Sequence, residues 1–359
     1  MRLNLAPGIG AALLAALLFG ASTPMAKRLL GEGPSPWMMA ALLYLGSGLG
    51  LYLTRRIRGS AAASLSRGEW AWLGGAVLAG GVVAPVMLMA GLTAMPASAA
   101  ALLLNAEGVF TALLAWFVFQ ENFDRRVATG MVAIIAGAVA IGWPAGGRIE
   151  AATAWPSLAV LGACLGWAID NNLTRKVALA DATAIAMIKG LAAGATNLAL
   201  ALSIGSALPA PRIALISMLI GFLGYGASLS LFVVALRALG TARTGAYFSI
   251  APFFGALLSI VMLGETVTPG IVTGSLLMAV GVVLHLTEHH EHEHTHDEIE
   301  HEHEHTHDGG DDDDHDHADE GGVPLGTRHV HVHRHVAVTH VHAHFPDAHH
   351  QHTHAPPHA

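Results

Sequence analysis

The first 286 residues consist of long apolar segments that follow one another with few charged residues between them. A water-soluble domain of this length would give its helices polar faces, whereas these segments of about 20 residues have almost none. Inside a bilayer the backbone polar groups of a segment must be satisfied locally, so apolar runs of this length form helices. The sequence therefore predicts an all-α membrane protein.

Ten transmembrane helices are predicted from the composition. Their ranges are 8–27, 36–54, 70–91, 96–118, 126–143, 156–176, 182–204, 212–235, 242–263 and 268–286. The first range ends near small residues, as a signal peptide does. However, Arg2 is the only charged residue before it, and another strongly apolar range follows soon after. We therefore expect a retained helix.

Part of the apolar region appears twice. Residues 106–139 align without gaps onto residues 250–283, which begin 144 positions later. Both copies contain two apolar segments separated by a short turn that carries a glutamate, Glu121 in one and Glu265 in the other. We predict a first five-helix repeat at 1–145 and a second at 150–286. Internal repeats of this kind are typical of carriers whose site lies between the two halves.

The distribution of Lys and Arg predicts the orientation. If the N-terminus is cytoplasmic, eleven basic residues lie inside and four lie outside, which fits the positive-inside rule. The inside set is Arg2, Arg55, Arg56, Arg58, Arg67, Arg125, Arg126, Arg175, Lys176, Arg237 and Arg243, and the outside set is Lys27, Arg28, Arg148 and Arg212. An odd number of helices per repeat inverts the second repeat relative to the first. Both termini are then expected in the cytoplasm of a bacterial-type inner (plasma) membrane.

The two halves resemble the EamA family of the drug/metabolite transporter (DMT) superfamily. The resemblance rests on the five-plus-five layout, on LLAWFVFQENF and LLSIVMLGETVTPG, and above all on the stretch from Gly264 to Gly270. It implies helices arranged around a central cavity, both termini in the cytoplasm, and transport of a small molecule by alternating access. The chain departs from the family pattern in its fourth helix, which has Glu107–Gly108 where proline is often found, while the second half keeps Pro252.

Three charged side chains fall inside the predicted helices: Glu107, Asp170 and Lys189. A charge at the centre of a membrane helix costs about 2.5–3.5 kcal/mol, so such residues tend to have a function or a partner. Glu107 is roughly 15 Å deep at about 1.5 Å per residue, and it is predicted to contact the substrate or accept a proton. Asp170 and Lys189 lie at equal depth on sequential helices, which permits an ion pair. That pair has two interpretations, a binding or gating role beside Glu107 and a purely structural role.

Further polar and aromatic residues lie at membrane depth. Asn105 and Asn171 are candidate cavity residues beside the three charges, although Asn105 and Glu107, two positions apart, cannot both face the cavity centre. Hydrogen bonding between helices is the alternative for the asparagines. Trp116, Trp167 and Phe253 could stack on a substrate or could pack between helices. Glu121 and Glu265 are expected to cap the helix that follows each of them.

The C-terminal tail, residues 287–359, is rich in His, Asp and Glu. All 24 histidines lie between His285 and His358. So polar a segment is expected to be disordered without metal, and alternating imidazoles suit Zn, Ni, Co or Cu. The candidate metal ligands are His292, His294, His296, His301, His303, His305 and His307. A solvated tail or a cytoplasmic pH buffer is the alternative role.

Two functions remain open. The first is a secondary transporter, acting as an exporter of small metabolites, with a metal-binding tail. The second is an efflux transporter for divalent Ni, Co or Zn that uses the tail to collect ions. The predicted helices hold few metal ligands, with Cys164 as the single cysteine of the chain, and this favours the first function.

No nucleophile or phosphate loop points to an enzyme, and no cofactor requirement or nucleic-acid partner is expected. The expected partners are a solute, the lipid bilayer and divalent metal ions.

Overall fold

The structure, a computed structural model, describes residues 7–60, 65–119, 125–143, 151–177 and 181–286, together with four strands of the C-terminal region. The first half contains α1 (Pro7–Leu30), α2 (Pro36–Arg58), α3 (Arg67–Ala76), α4 (Ala84–Ala94), α5 (Ala97–Leu103), α6 (Ala106–Phe119) and α7 (Arg125–Gly142). The second half contains α8 (Ala151–Thr174), α9 (Ala182–Ser203), α10 (Pro211–Gly221), α11 (Ser228–Leu239), α12 (Thr241–Phe248), α13 (Ala251–Leu263) and α14 (Pro269–Leu286).

The predicted all-α membrane fold is confirmed. Within the described residues, eight helical segments are long and apolar enough to cross a membrane, and the shorter apolar helix Pro269–His285 accompanies them. The predicted helix at 156–176 corresponds to α8. The ten predicted ranges therefore all fall on helical segments.

Four of these segments contain interruptions that repeat between the halves. A π-helical turn, Val77–Val83, joins α3 to α4, and a second, Phe222–Ala227, joins α10 to α11. A break separates α5 from α6 at Asn105, and Ser249, 144 positions later, lies in the break between α12 and α13. The spacing equals that of the sequence duplication, so the duplicated unit includes its irregular turns.

Helix packing follows the same two-fold relation. The equivalent helices α2 and α9 pack on each other, as do α7 and α14. In the first half α1 packs on α11 and α13, and in the second half the equivalent helix α8 packs on α4 and α6. The first helix of each half therefore packs on helices of the other half. The body consists of two five-helix repeats that interlock through these two helices.

Glycines allow the closest approaches between helices. A Cβ atom added at Gly46 of α2 would lie 1.9 Å from the carbonyl oxygen of Met218 on α10, and one added at Gly221 would lie 1.9 Å from the carbonyl oxygen of Leu43. Membrane helices associate through such contacts, because lipid supplies no hydrophobic drive for helix association.

The corner between α4 and α5 is held by two charged side chains from other parts of the body. The ammonium group of Lys27 on α1 donates hydrogen bonds to the carbonyl oxygens of Leu92 and Met95, which end α4. The Glu265 carboxylate accepts hydrogen bonds from the backbone N–H groups of Ala97 and Ser98, at 2.6 and 2.8 Å, and so caps α5.

This corrects the expected role of Glu265, which does not cap the helix that follows it. Thr268 does so instead, since its hydroxyl accepts a hydrogen bond from the backbone N–H of Ile271 at 3.2 Å. Glu265 instead accepts hydrogen bonds from the unpaired N–H groups at the start of α5, where the helix dipole favours a carboxylate. Glu121 lies outside the described residues.

The C-terminal unit, residues 289–359, is described by its strands alone. They are β1 (Glu291–His296), β2 (Ile299–Thr306), β3 (Arg328–His335) and β4 (Val338–Ala343). β1 pairs antiparallel with β4, and β2 pairs antiparallel with β3. The sequence period of these segments accounts for the strands. His alternates with Glu, Thr or Val in these segments, and a period of two is that of a β-strand.

We expect Gly46→Ala to lower the free energy of unfolding by about 1–3 kcal/mol, because the methyl group would overlap the α10 backbone. The control is Gly10→Ala on α1, where an added Cβ has no atom within 4 Å among the described residues. It should leave stability unchanged or raise it, since alanine favours the helix. Thermal unfolding in detergent measures both, and equal effects of the two substitutions would contradict the close approach.

A second prediction concerns the start of α9, where the Arg55 guanidinium pairs with Asp181 just outside the membrane-spanning helix. Partial burial acts to raise the pKa of Asp181, but hydrogen bonds from Arg55, from the Thr183 hydroxyl and from the backbone N–H groups of Thr183 and Ala184 outweigh it and lower the pKa to about 2. A depressed carboxyl pKa stabilises the fold above the pKa of the unfolded chain, and this stabilisation is lost as pH falls.

The stability advantage over Asp181→Asn should therefore stay constant from neutral pH down to about 5 and shrink between about 4 and about 2. Thermal unfolding of both proteins across this range is the measurement. An advantage that grows on acidification would rule out the Asp181 carboxylate as its source.

Candidate functional site

A cavity of about 460 Å³ lies inside the body, between helices of both halves. Its walls come from α1, α2, α6, α8, α9, α11, α12 and the second π-helical turn. The lining residues are Phe19, Tyr44, Ser47, Glu107, Trp167, Asp170, Asn171, Thr174, Ala182, Ile185, Ala186, Lys189, Gly190, Gly224, Tyr225, Ser228, Leu229, Phe232 and Phe248. Its volume lies within the range of small-molecule sites.

Asp170 on α8 and Lys189 on α9 form the ion pair that their equal depth permits. The Lys189 ammonium donates to both carboxylate oxygens of Asp170, at 2.5 and 2.7 Å, and to the Thr174 hydroxyl at 3.3 Å. Thr174 in turn donates to Asp170 Oδ1 at 2.8 Å. These contacts occupy the three N–H donors of the lysine, so the pair forms a closed and electrically neutral unit.

The first π-helical turn makes room for this pair. A Cβ added at Gly80 would lie 2.1 Å from Asp170 Oδ2, so only glycine fits there. The Gly80 carbonyl oxygen accepts hydrogen bonds from the Tyr44 hydroxyl at 2.8 Å and from Trp167 Nε1 at 2.9 Å. The Asn197 amide donates to the next carbonyl, that of Gly81, at 2.9 Å. The irregular backbone thus fixes two cavity aromatics.

Glu107 enters the cavity from the first turn of α6, directly after the break in the fourth transmembrane segment. Its Oε1 accepts a hydrogen bond from the Asn171 amide at 2.8 Å. Asp170 and Lys189 are close enough to act on Glu107 electrostatically. Glu107, Asp170, Lys189 and Asn171 therefore all line one cavity.

A second part of the cavity wall is aromatic. Phe19 on α1 contacts Tyr225 and Phe248, with ring centroids 5.9 and 5.5 Å apart. Phe232 contacts Phe248 edge-on with ring centroids 4.9 Å apart, and the ring centroids of Tyr44 and Tyr225 are 5.8 Å apart. Of these five residues, the three from the second half belong to α11, α12 and the second π-helical turn. The cavity therefore has a charged wall and an aromatic wall.

Asn105 does not line the cavity. It is buried in the helix break, where its amide donates to the Leu102 carbonyl oxygen at 2.9 Å and approaches the Met278 sulfur at 3.8 Å. The Leu102 carbonyl oxygen also accepts a hydrogen bond from the backbone N–H of Asn105 at 3.0 Å, so Asn105 holds this carbonyl through both its backbone and its side chain. Glu107, two positions later on α6, faces the cavity. Asn105 is therefore a structural residue of the break.

The predicted aromatic candidates have different positions. Trp167 lines the cavity, Trp116 is exposed on the outer surface, and Phe253 packs against the main apolar core. The remaining aromatic residues of the cavity, Phe19, Tyr44, Tyr225, Phe232 and Phe248, were not predicted. Their one sequence signal is that they lie on helices paired by the duplication, and this does not set the direction of a side chain.

The predicted metal-ligating histidines fall on the C-terminal strands. His292, His294 and His296 lie on β1, and His301, His303 and His305 lie on β2. The strand register sets histidine opposite histidine at His292/His342, His294/His340, His301/His333, His303/His331 and His305/His329. His307 lies outside the described residues.

Comparisons with known proteins agree with this architecture. A transporter from Methanothermobacter thermautotrophicus, described as uncharacterized, is 27% identical over 271 residues, which cover 70% of this chain and 78% of that protein. A protein crystal structure superimposes with a TM-score of 0.58 at 20% identity, covering 77% of this chain and 95% of the other, and this likeness concerns the fold alone.

The family comparison covers both repeats. The model of the EamA-like transporter family matches residues 6–143 and again residues 154–287, so each half of the body carries one match. The two matches correspond to the two five-helix repeats. The chain belongs to the EamA-like transporter family.

Proposed function

We propose that this membrane transporter moves a small organic metabolite by alternating access and that the cavity between its repeats is the solute site. The observation that carries the proposal is the cavity itself, which combines Glu107, the Asp170–Lys189 pair and an aromatic wall at the junction of the two halves. Secondary transporters built from inverted repeats bind their solutes at such junctions.

We propose further that this conformation is open to the cytoplasm. The cavity reaches Ala182, Ile185 and Ala186 at the start of α9, next to basic residues predicted to lie inside. The opposite end is bridged at the α4–α5 corner by Lys27 and Glu265. Solute would enter from the cytoplasm of a bacterial-type inner membrane, in which both termini are cytoplasmic, and would leave by export.

For the C-terminal tail we propose binding of divalent Zn, Ni, Co or Cu. The support is the strand register, which sets pairs of histidines opposite each other at 292/342, 294/340, 301/333, 303/331 and 305/329. Imidazole is a suitable ligand for each of these ions. The ligands would be His292, His294, His296, His301, His303, His305 and His307, with no cofactor required for transport.

The cavity chemistry favours an organic solute over a metal ion as cargo. Among the described residues that line the cavity, the acidic groups are Glu107 and Asp170, and Lys189 neutralises Asp170. A desolvated divalent metal ion needs several protein ligands, and one carboxylate beside aromatic rings does not supply them. Metal efflux fed by the tail is the alternative outcome of the following experiment.

The test is flux into proteoliposomes, with mixtures of labelled organic metabolites and divalent metals offered in parallel. The full chain is compared with a truncation after Leu286, with Glu107→Gln, and with Glu32→Gln in the exposed α1–α2 turn as a matched control. We expect organic flux that survives truncation and Glu32→Gln but falls about tenfold or more in Glu107→Gln. Metal flux without organic flux would overturn the proposal in favour of metal efflux.

The ion pair generates a separate prediction. Lys189→Met leaves the buried Asp170 carboxylate without its counter-ion, and we expect a loss of about 3–5 kcal/mol in stability. The double variant Asp170→Asn/Lys189→Met removes both charges and should recover most of this loss. Thermal unfolding in detergent measures both, and a double variant no more stable than Lys189→Met would show that charge pairing is not what stabilises these helices.

A further inference from the structure

We infer that the cavity selects a monovalent organic cation, namely a protonated amine that carries an apolar or aromatic group. The inference rests on the proposed function, because it names the chemistry of the solute at that same site. It follows from three observations: a lysine whose donors are all used, a carboxylate that has no cationic hydrogen-bond partner among the described residues, and an aromatic wall.

Lys189 is not available to bind an anionic solute. Its three N–H donors go to the two oxygens of Asp170 and to the Thr174 hydroxyl. An anion could engage the ammonium only by breaking the contact with Asp170, and it would meet the negative charge of that carboxylate. The charged wall therefore repels a solute carboxylate or phosphate, although it contains a lysine.

Glu107 has the opposite character. Within the described residues its side-chain partner is the neutral amide of Asn171, which donates to Oε1 at 2.8 Å. Oε2 remains open to a ligand, and Glu107 lines the cavity beside the neutral Asp170–Lys189 pair. With Glu107 ionised, the three groups together carry one net negative charge. An ammonium group at Oε2 would complete a charge-assisted hydrogen bond and compensate the carboxylate within the membrane.

The remainder of the solute faces aromatic rings. Phe19, Tyr225 and Phe248 form a connected surface with centroid separations of 5.5 and 5.9 Å, and Phe232 extends it. Such rings attract both apolar groups and the positive charge of an amine. A cavity of about 460 Å³ has room for an amine with one ring or a short branched chain.

The probes are four small molecules that differ in charge and ring: 2-phenylethylammonium, 3-phenylpropionate, 2-phenylethanol and ethylammonium. Binding to the full chain in detergent is measured by calorimetric titration. We expect 2-phenylethylammonium to bind most tightly, ethylammonium and 2-phenylethanol at least about tenfold more weakly, and 3-phenylpropionate not at all. Tighter binding of 3-phenylpropionate than of 2-phenylethylammonium would overturn the inference.

Variants test the two walls separately, each checked for a monodisperse profile in size-exclusion chromatography. Glu107→Gln should weaken 2-phenylethylammonium binding about tenfold or more and leave 2-phenylethanol binding unchanged. Phe248→Leu should weaken 2-phenylethylammonium about two- to fivefold while sparing ethylammonium. Glu32→Gln, in an exposed turn, should change neither. Equal amine affinity in Glu107→Gln and the wild type would remove Glu107 as the selecting group and sink the inference.

The same probes separate this inference from the proposed function. Counterflow of 2-phenylethylammonium in proteoliposomes, lost in Glu107→Gln, supports both. Glu107-dependent amine binding without flux of any solute would refute transport through this cavity and leave the charge preference intact. Counterflow of an anionic metabolite without amine binding would refute the charge preference and leave transport intact.

Discussion

The missing N–H group of Pro85 determines much of the architecture around the cavity. In an α-helix that continued through this point, the N–H at position 85 would donate to the Gly81 carbonyl oxygen, but proline has no such donor. The Ala84 N–H donates to the Ala79 carbonyl oxygen in the π-helical turn, so the Gly80 carbonyl oxygen also lacks its α-helical donor. Lipid offers no substitute, so protein side chains must supply one. Tyr44 and Trp167 donate to Gly80, and Asn197 donates to Gly81. Three helices are thereby fixed around one irregular turn, and the cavity lies beside them.

The two halves of the duplication have diverged at this place. In the first half, Gly80 accommodates Asp170 of α8, whereas the equivalent Gly224, 144 positions later, accommodates Ser22 of α1. The backbone geometry is thus retained, while a carboxylate stands in one copy and a hydroxyl in the other. The charged groups lie beside α8 and α9 and the aromatic rings beside α11 and α12. The helices of the two repeats are therefore arranged symmetrically, whereas the side chains that line the cavity between them are not.

Much of this could be predicted from the sequence. The length of the apolar segments predicted the helices, and the 144-residue spacing predicted the repeats. The equal depth of Asp170 and Lys189 permitted an ion pair, since depth depends only on position along the chain. The aromatic wall and the roles of Asn105 and Glu265 depend instead on helix rotation and on contacts between distant segments. Glu265 reaches a helix start more than 160 positions away, and no local pattern encodes such a partner.

The α4–α5 corner has a mechanical consequence for any movement of the body. Its free carbonyl oxygens accept hydrogen bonds from Lys27 of α1, and its free amides donate to Glu265 of the second repeat. Since α1 itself packs on α11 and α13, this corner of the first repeat is tied to the second half through both side chains. Pulling them apart exposes bare peptide groups together with an ammonium and a carboxylate. Water solvates these groups and lipid does not. Separation of Lys27 and Glu265 from the α4–α5 corner must therefore coincide with the entry of water at this corner.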